Sequence, residues 1–219
     1  MPALRVAVLA SGGGSNLQAL LDASRDPEAG FTVALVISNK DDAGALARAQ
    51  RAGVATATIR EDGQDAERLL ALLRECGAEL VVLAGYLKLV PAPVVAGYSG
   101  RMLNIHPALL PAFGGPGMYG RKVHQAVLAA GARVSGPTVH AVDEIFDHGR
   151  ILAQWPVPVA ADDTPETLAA RVLEAEHLLL PAVVRAWARG GVAAALSLRA
   201  SAFGPSSALP ATFDDALAP

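Results

Sequence analysis

Asn104 and His106 stand two positions apart in Leu103-Asn104-Ile105-His106-Pro107. On an extended strand alternate side chains share a face. The amide and the imidazole therefore point one way, and Leu103 and Ile105 the other. Pro107 biases His106 further toward extended backbone. An amide donor beside an imidazole suits carbonyl chemistry, because one group can hold the oxygen while the other manages protons. The partner carboxylate is expected from Val142-Asp143-Glu144-Ile145-Phe146-Asp147-His148-Gly149. Acids in a short turn after a strand fit a site. They equally describe a solvated loop, which on composition alone is the commoner case.

A second constellation lies near the amino terminus. An apolar run leads into Ser11-Gly12-Gly13-Gly14-Ser15-Asn16-Leu17-Gln18 and then a helical pattern. Glycines let backbone turn tightly and approach a ligand closely. Free N–H groups at a helix start favour an anion, most often phosphate. Ser15 and Asn16 can add side-chain hydrogen bonds. No lysine follows the last glycine, and the spacing matches neither a Walker loop nor a dinucleotide fingerprint. A monophosphate ester is the expected ligand. The bland alternative is a tight strand-to-helix turn with Ser15 or Asn16 as N-cap.

The remaining histidines, His124, His140, His148 and His177, default to structural roles. His140, in Thr138-Val139-His140, reads as a packing or supporting residue rather than a direct participant. The single cysteine, Cys76, excludes a disulfide framework and a multi-thiolate zinc site, and reads as a small half-buried residue. No metal is expected.

These groups need a scaffold. Arg5 to Leu9, Phe31 to Ile37 and Leu80 to Leu83 are continuous apolar runs of the kind that parallel strands covered on both faces show. Helical patterns lie between them at Ser15 to Ser24, Ala43 to Ala52 and Gln64 to Glu75. Alternation of this kind predicts βαβ units, an α/β fold with an open, mostly parallel sheet and right-handed crossovers. Pro91 to Tyr98 is a short helix, Met102 to His106 an extended piece, Gly114 to Gly120 a loop, and His124 to Ala130 a helix. Thr138 to Val142 and Ile151 to Val159 read as a hairpin-like pair, an antiparallel portion in the second half. Thr164 to Arg189 is a long helix, with Thr164 as N-cap and Pro165 at the first helical position. Val192 to Leu198 is expected to add an edge strand. The last twenty residues lack a period and read as a loosely held tail.

The chain has 219 residues, a formal net charge of −3 and no long basic run, which argues against a nucleic-acid partner. The first apolar stretch is too short to span a membrane and lacks the flanks of a signal peptide, so no membrane partner is expected. Sparse cysteine fits a reducing compartment, and a cytoplasmic location is expected.

Taken together, the motifs resemble the glycinamide ribonucleotide formyltransferases, folate-dependent enzymes of purine synthesis. The resemblance covers roughly the first 190 residues. It rests on the Ser11 to Asn16 loop, Ser38-Asn39-Lys40, Leu83-Ala84-Gly85-Tyr86, the run from Leu103 to Pro111, and Gly136 to His140 leading to Asp147-His148-Gly149. It implies a Rossmann-like twisted sheet flanked by helices, the formyltransferase fold. Residues 1–198 would form one domain, with a phosphate-binding half at 1–100 and a catalytic and folate half at 101–198, and 199–219 would be the tail. By position, the resemblance implies Asn104, His106 and Asp147 as the catalytic trio. It implies Gly13, Gly14, Ser15, Asn16 and Glu176 as substrate contacts. Leu87, Lys88, Leu89, Val90, Asn104, Asp143, Glu144 and Asp147 would contact the folate. The implied co-substrate is 10-formyltetrahydrofolate, the partner is glycinamide ribonucleotide, and the assembly is a monomer or homodimer.

The resemblance also implies that Asp147 keeps His106 protonated, since an opposite charge favours the charged form. The sequence departs from the family pattern at His148-Gly149-Arg150. An arginine that the family often carries near the folate has no clear match around Glu61 to Arg68, and Arg60 stands nearest. Two relatives are disfavoured. A formyltetrahydrofolate hydrolase would carry an extra amino-terminal domain, and the first strand here starts near residue 5. An enzyme that formylates initiator tRNA would need a basic carboxyl-terminal domain. A non-catalytic folate- or nucleotide-binding module is the rival from another class, and the intact trio argues against it.

Overall fold

A computed structural model of the chain describes residues 2–60 and 65–198. Among these residues, seven strands build one sheet in the order β3-β2-β1-β4-β5-β7-β8. Strands β1 (Leu4–Leu9), β2 (Phe31–Ser38), β3 (Ala55–Thr58), β4 (Leu80–Leu83) and β5 (Met102–His106) run parallel. Strands β7 (Thr138–Ala141) and β8 (Ile151–Gln154) extend the sheet antiparallel beyond β5. A separate short pair joins β6 (Val134–Ser135) to β9 (Val157–Pro158).

β1 shows why the sheet is covered on both faces. Val6 and Val8 belong to one hydrophobic core, with Leu17, Leu20, Leu168 and Val172. Ala7 and Leu9 belong to the other, with Leu69, Leu73 and Val94. Successive side chains leave a strand on opposite faces, so an unbroken apolar run serves two helix layers at once. The first layer holds α1 (Ser15–Ala23) and α6 (Pro165–Leu196), and the second holds α3 (Asp65–Glu75) and α4 (Ala92–Gly97). The helices α2 (Gly44–Arg51) and α5 (Arg121–Ala129) complete the set. β1 lies between β2 and β4, so the strand order reverses there. Open α/β sheets bind ligands outside the carboxyl ends of strands at such a reversal.

Two sequence expectations need correction. Val192 to Leu198 is not an edge strand. α6 runs to Leu196 after an interruption at Gly190–Gly191, where Gly191 has φ 62°. The glycine pair imitates a strand boundary, but the alanines that follow favour helix. Ile151 to Val159 is not one strand: β8 ends at Gln154, and β9 leaves the main sheet to pair with β6. Pro156 lies between the two and has no N–H to give a ladder. β3 escaped notice because Ala-Thr-Ala-Thr on a half-exposed edge carries little apolar signal. The expected starts near Gln64 and the tail 199–219 lie outside the described residues.

α6 opens as expected. Thr164 is its N-cap and forms a reciprocal capping box with Thr167, and Pro165 occupies the first turn. The helix is long and apolar enough by composition to cross a membrane. Here it packs on α1, α5 and β8 as a core helix.

Candidate active site

β5 carries Asn104 and His106 on one face, and its other face sends Leu103 and Ile105 into the larger core. The antiparallel partner β7 sets Asn104 directly opposite His140 and His106 opposite Thr138. Direct cross-strand neighbours bring their side chains within reach of each other. Asn104 Nδ2 lies 3.0 Å from His140 Nε2 and 3.4 Å from Asp147 Oδ1.

His106 is 3% exposed. Its Nε2 lies 2.9 Å from the carbonyl oxygen of Phe113. A carbonyl only accepts, so Nε2 carries the proton. Nδ1 faces Asp147 Oδ2 at 3.5 Å. Asp147 Oδ2 accepts a hydrogen bond from the Gly115 N–H, at 2.9 Å. Phe113 (φ 57°) and Asp147 (φ 53°) are the two non-glycine residues with positive φ among the described residues. Such backbone costs of order 1–3 kcal/mol for a residue with a side chain and collects at functional sites. Both strained residues grip the same imidazole. Gly114 fits between them because a Cβ there would stand 2.5 Å from Leu110 Cδ2 and 3.2 Å from Asp147 Cβ.

The electrostatics overturn one expectation. Burial pushes the His106 pKa below its ordinary value, and the opposing pull of Asp147 does not make up the difference. His106 is therefore neutral at pH 7, not held protonated. Burial also raises Asp147, but the neighbouring imidazoles and the Gly115 N–H bring its carboxyl below the usual value, so it is ionised.

The glycine loop turns at Gly14, which has φ 75° and precedes α1 as its N-cap without any side-chain cap. A Cβ at Gly14 would stand 2.7 Å from Ala45 Cα, so only glycine lets α1 and α2 approach so closely. Ser15 and Asn16 are therefore free of the capping duty that the bland alternative gave them. Asn16 instead donates from Nδ2 to Glu176 Oε2 at 2.5 Å, joining the loop to α6. Glu176 is 7% exposed, and burial pushes its pKa up to about 7. The Asn16 Oδ1 atom is buried without a hydrogen-bond partner.

A cleft of about 500 Å³ runs along the carboxyl ends of the parallel strands. Its wall includes Asn104, His106, Asp147, His140, Asn16 and Glu176. All four expected folate-side residues of the segment Leu87, Lys88, Leu89 and Val90 line it, as does Asp143. Leu87, Leu89, Ile145 and Phe146 present exposed apolar surface there. The structure does not gather everything. Gly13, Gly14 and Ser15 stand beside Asn16 but outside the cleft wall, and Glu144 is exposed and also outside it. Asp143 spends its carboxylate on its own turn, accepting from Ile145 N at 2.9 Å and pairing with His148 Nδ1 at 2.8 Å. His148 thus closes the turn where the family pattern differs. Arg60 pairs with Asp41 at 3.0 Å on the surface, away from the cleft.

Two contributors carry no signal in the sequence, and the contact of a third needs the fold. His140 reads as a supporting residue in the sequence, and its contact with Asn104 follows only from the β5–β7 register. The Phe113 carbonyl is backbone and carries no side-chain signal. His124 lines the cleft at 4% exposure, with Nδ1 buried and unpartnered. Among the described residues, no group of three or more His, Cys, Asp or Glu side chains is arranged to hold a metal ion.

Comparison with known proteins agrees with this architecture. The formyl transferase family model matches residues 4–184. The chain is 50% identical over 188 residues to the chloroplastic phosphoribosylglycinamide formyltransferase of Arabidopsis thaliana, covering 83% of this chain and 64% of that protein. It is 38% identical over 192 residues to the phosphoribosylglycinamide formyltransferase of Escherichia coli K12, covering 85% of this chain and 88% of that one. The crystal structure of phosphoribosylglycinamide formyltransferase from Brucella melitensis superposes with a TM-score of 0.79 at 44% identity, covering 86% of this chain and 97% of that one. The chain thus spans less than two thirds of its plant relative and most of the bacterial ones. A match this long, on a fold and a cleft of this kind, means that the chain belongs to the formyl transferase family.

Proposed function

We propose that this protein transfers the formyl group of 10-formyltetrahydrofolate to the primary amine of N1-(5-phospho-D-ribosyl)glycinamide. The observation that carries the reading is the convergence, in one cleft, of Asn104, His106 and Asp147 with the Asn16–Glu176 pair beside a glycine loop. In this reading residues 1–100 supply the phosphate side, residues 101–198 supply the reacting side, and the setting is a reducing cytoplasm.

The cleft fits a folate. Exposed Leu87, Leu89, Ile145 and Phe146 offer an apolar wall for a flat ring system, as ligand sites commonly do. The donor supplies an electrophilic formyl carbon: a bond forms from the incoming amine nitrogen, the bond to folate N10 breaks, and one proton moves from the first nitrogen to the second. Asn104 directs an amide N–H at the formyl oxygen, where negative charge develops. Neutral His106, bare at Nδ1, accepts the proton of the attacking amine and returns it to the departing nitrogen. Asp147 stabilises the imidazolium in between and holds its orientation. At the other end, the α1 N-terminus and the loop N–H groups receive the phosphate. The Glu176 carboxyl accepts hydrogen bonds from the ribose hydroxyls.

The test is an absorbance assay for deformylated folate with purified protein, with and without the ribonucleotide amine. Product only in its presence supports the transfer. Product without it assigns hydrolysis instead, and binding without product assigns a non-catalytic module.

A further inference from the structure

His140 is 2% exposed, and its two ring nitrogens have unlike partners. Nδ1 lies 2.8 Å from the carbonyl oxygen of Ala141. That oxygen only accepts, so the proton sits on Nδ1. With one proton on the ring, Nε2 keeps its lone pair and lies 3.0 Å from Asn104 Nδ2 and 3.6 Å from Asp147 Oδ1. His106 has the opposite tautomer, with its proton on Nε2 toward the Phe113 carbonyl. The tautomer of a histidine is set by the hydrogen bond its other nitrogen makes, and here two backbone carbonyls choose two different answers.

The consequence falls on Asn104. An asparagine amide has two N–H donors on one nitrogen and an acceptor on the other terminus. One N–H is held by His140 Nε2 at 3.0 Å, and the other faces Asp147 Oδ1 at a long 3.4 Å. A flipped amide would set Oδ1 against the lone pair of His140 and against the carboxylate, two contacts between acceptors. His140 thus fixes which end of the amide faces the reacting centre. The short bond keeps one N–H in place, and the long one is the donor free to change partner.

Accepting the formyl-transfer reading above, we propose that His140 is a positioning residue. It locks the Asn104 amide so that the N–H now facing Asp147 is handed to the formyl oxygen. The same lock spares Asn104 the cost of reorienting when charge develops, which is the advantage of a preorganised donor.

The experiment is a kinetic cycle on the full chain with His140→Ala, His140→Gln, Asn104→Ala and the double variant His140→Ala/Asn104→Ala. His140→Ala is expected to lose about 10- to 100-fold in kcat, the scale known for partners that orient metal ligands, with both KM values little changed. His140→Gln, whose Oε1 accepts where Nε2 did, recovers most of it. In the Asn104→Ala background the loss from His140→Ala falls to less than about twofold, because the residue it positions is gone. An undiminished loss in that background overturns the proposal, as does a His140→Gln enzyme as impaired as His140→Ala. A buried histidine can be needed for folding, so ¹⁵N NMR of the wild-type imidazoles stands as the second measurement. Protonation of His140 at Nδ1 is expected, and protonation at Nε2 overturns the proposal even if no variant folds. A wild-type enzyme without formyl transfer would instead sink the functional reading, which the tautomer measurement does not touch.

Discussion

The Nδ1 atom of His106 stands 3.5 Å from Asp147 Oδ2, too far for a tightly shared proton. The distance agrees with a neutral imidazole beside an ionised carboxylate, each with its pKa below the ordinary value. If the neutral ring accepts the proton of the attacking amine, kcat falls as pH drops through the His106 pKa, on the acid side of the usual histidine value. Asp147 pulls that pKa upward, so Asp147→Asn moves the acid limb to lower pH while reducing kcat. A kcat–pH profile from pH 5 to 9 checks both, and a limb that moves upward contradicts the assignment.

On the proposed mechanism, Asn104→Ala removes a donor to the developing oxyanion, and His106→Ala removes the proton carrier. Each is expected to lose about 10²–10³ in kcat, the scale for such groups in acyl transfer. Asn104 is only half-buried, so its variant should keep the wild-type circular dichroism spectrum and melting temperature. Wild-type turnover in either variant rejects the assigned role.

Ser15→Asp puts a second negative charge beside the loop proposed to receive the phosphate. Like charges held close in a partly desolvated site repel by a few kcal/mol at most. The KM for the ribonucleotide is expected to rise about tenfold or more, and the KM for the folate to hold. Equal changes in both would mean that the loop binds something else.

Glu176 makes stability depend on pH. Its folded-state pKa of about 7 lies above the ordinary glutamate value of 4.5. A raised pKa contributes stability that is full below the unfolded value and is lost as pH rises through the folded one. Wild-type protein should therefore lose about 3 kcal/mol between pH 4 and pH 8 from this group. Glu176→Gln keeps an acceptor for Asn16 but cannot ionise, so its denaturation midpoint should change less over that window. Parallel urea titrations of the two proteins decide the matter.

Gly14→Ala combines a left-handed backbone with a Cβ 2.7 Å from Ala45 Cα. The strain and the overlap should together cost at least about 2 kcal/mol. The melting temperature is expected to fall by about 4–8 °C in a chain of this size. An unchanged melting temperature would mean that α1 and α2 separate without cost.

Much of the fold is legible in the chain because its signals are local. Val6 to Leu9 reads as a doubly covered strand, since an unbroken apolar run satisfies two helix layers. Thr164 and Pro165 announce α6, and Gly12 to Gly14 announce the turn before α1. Asn104 and His106 share a face because strand geometry has a period of two. Where local signals mislead, as with the alanine-rich stretch after Gly190–Gly191, a glycine pair and an apolar run imitate a strand that the helix overrides.

The sequence by itself determined which residue types are available and which of them lie on a common strand face. Only the tertiary structure decided their partners and protonation. His140 meets Asn104 because β7 pairs with β5 in one register out of several. Asn16 meets Glu176 across 160 residues because α6 packs on α1. His106 is neutral because burial outweighs the charge of Asp147, a balance of desolvation against attraction that no linear spacing encodes.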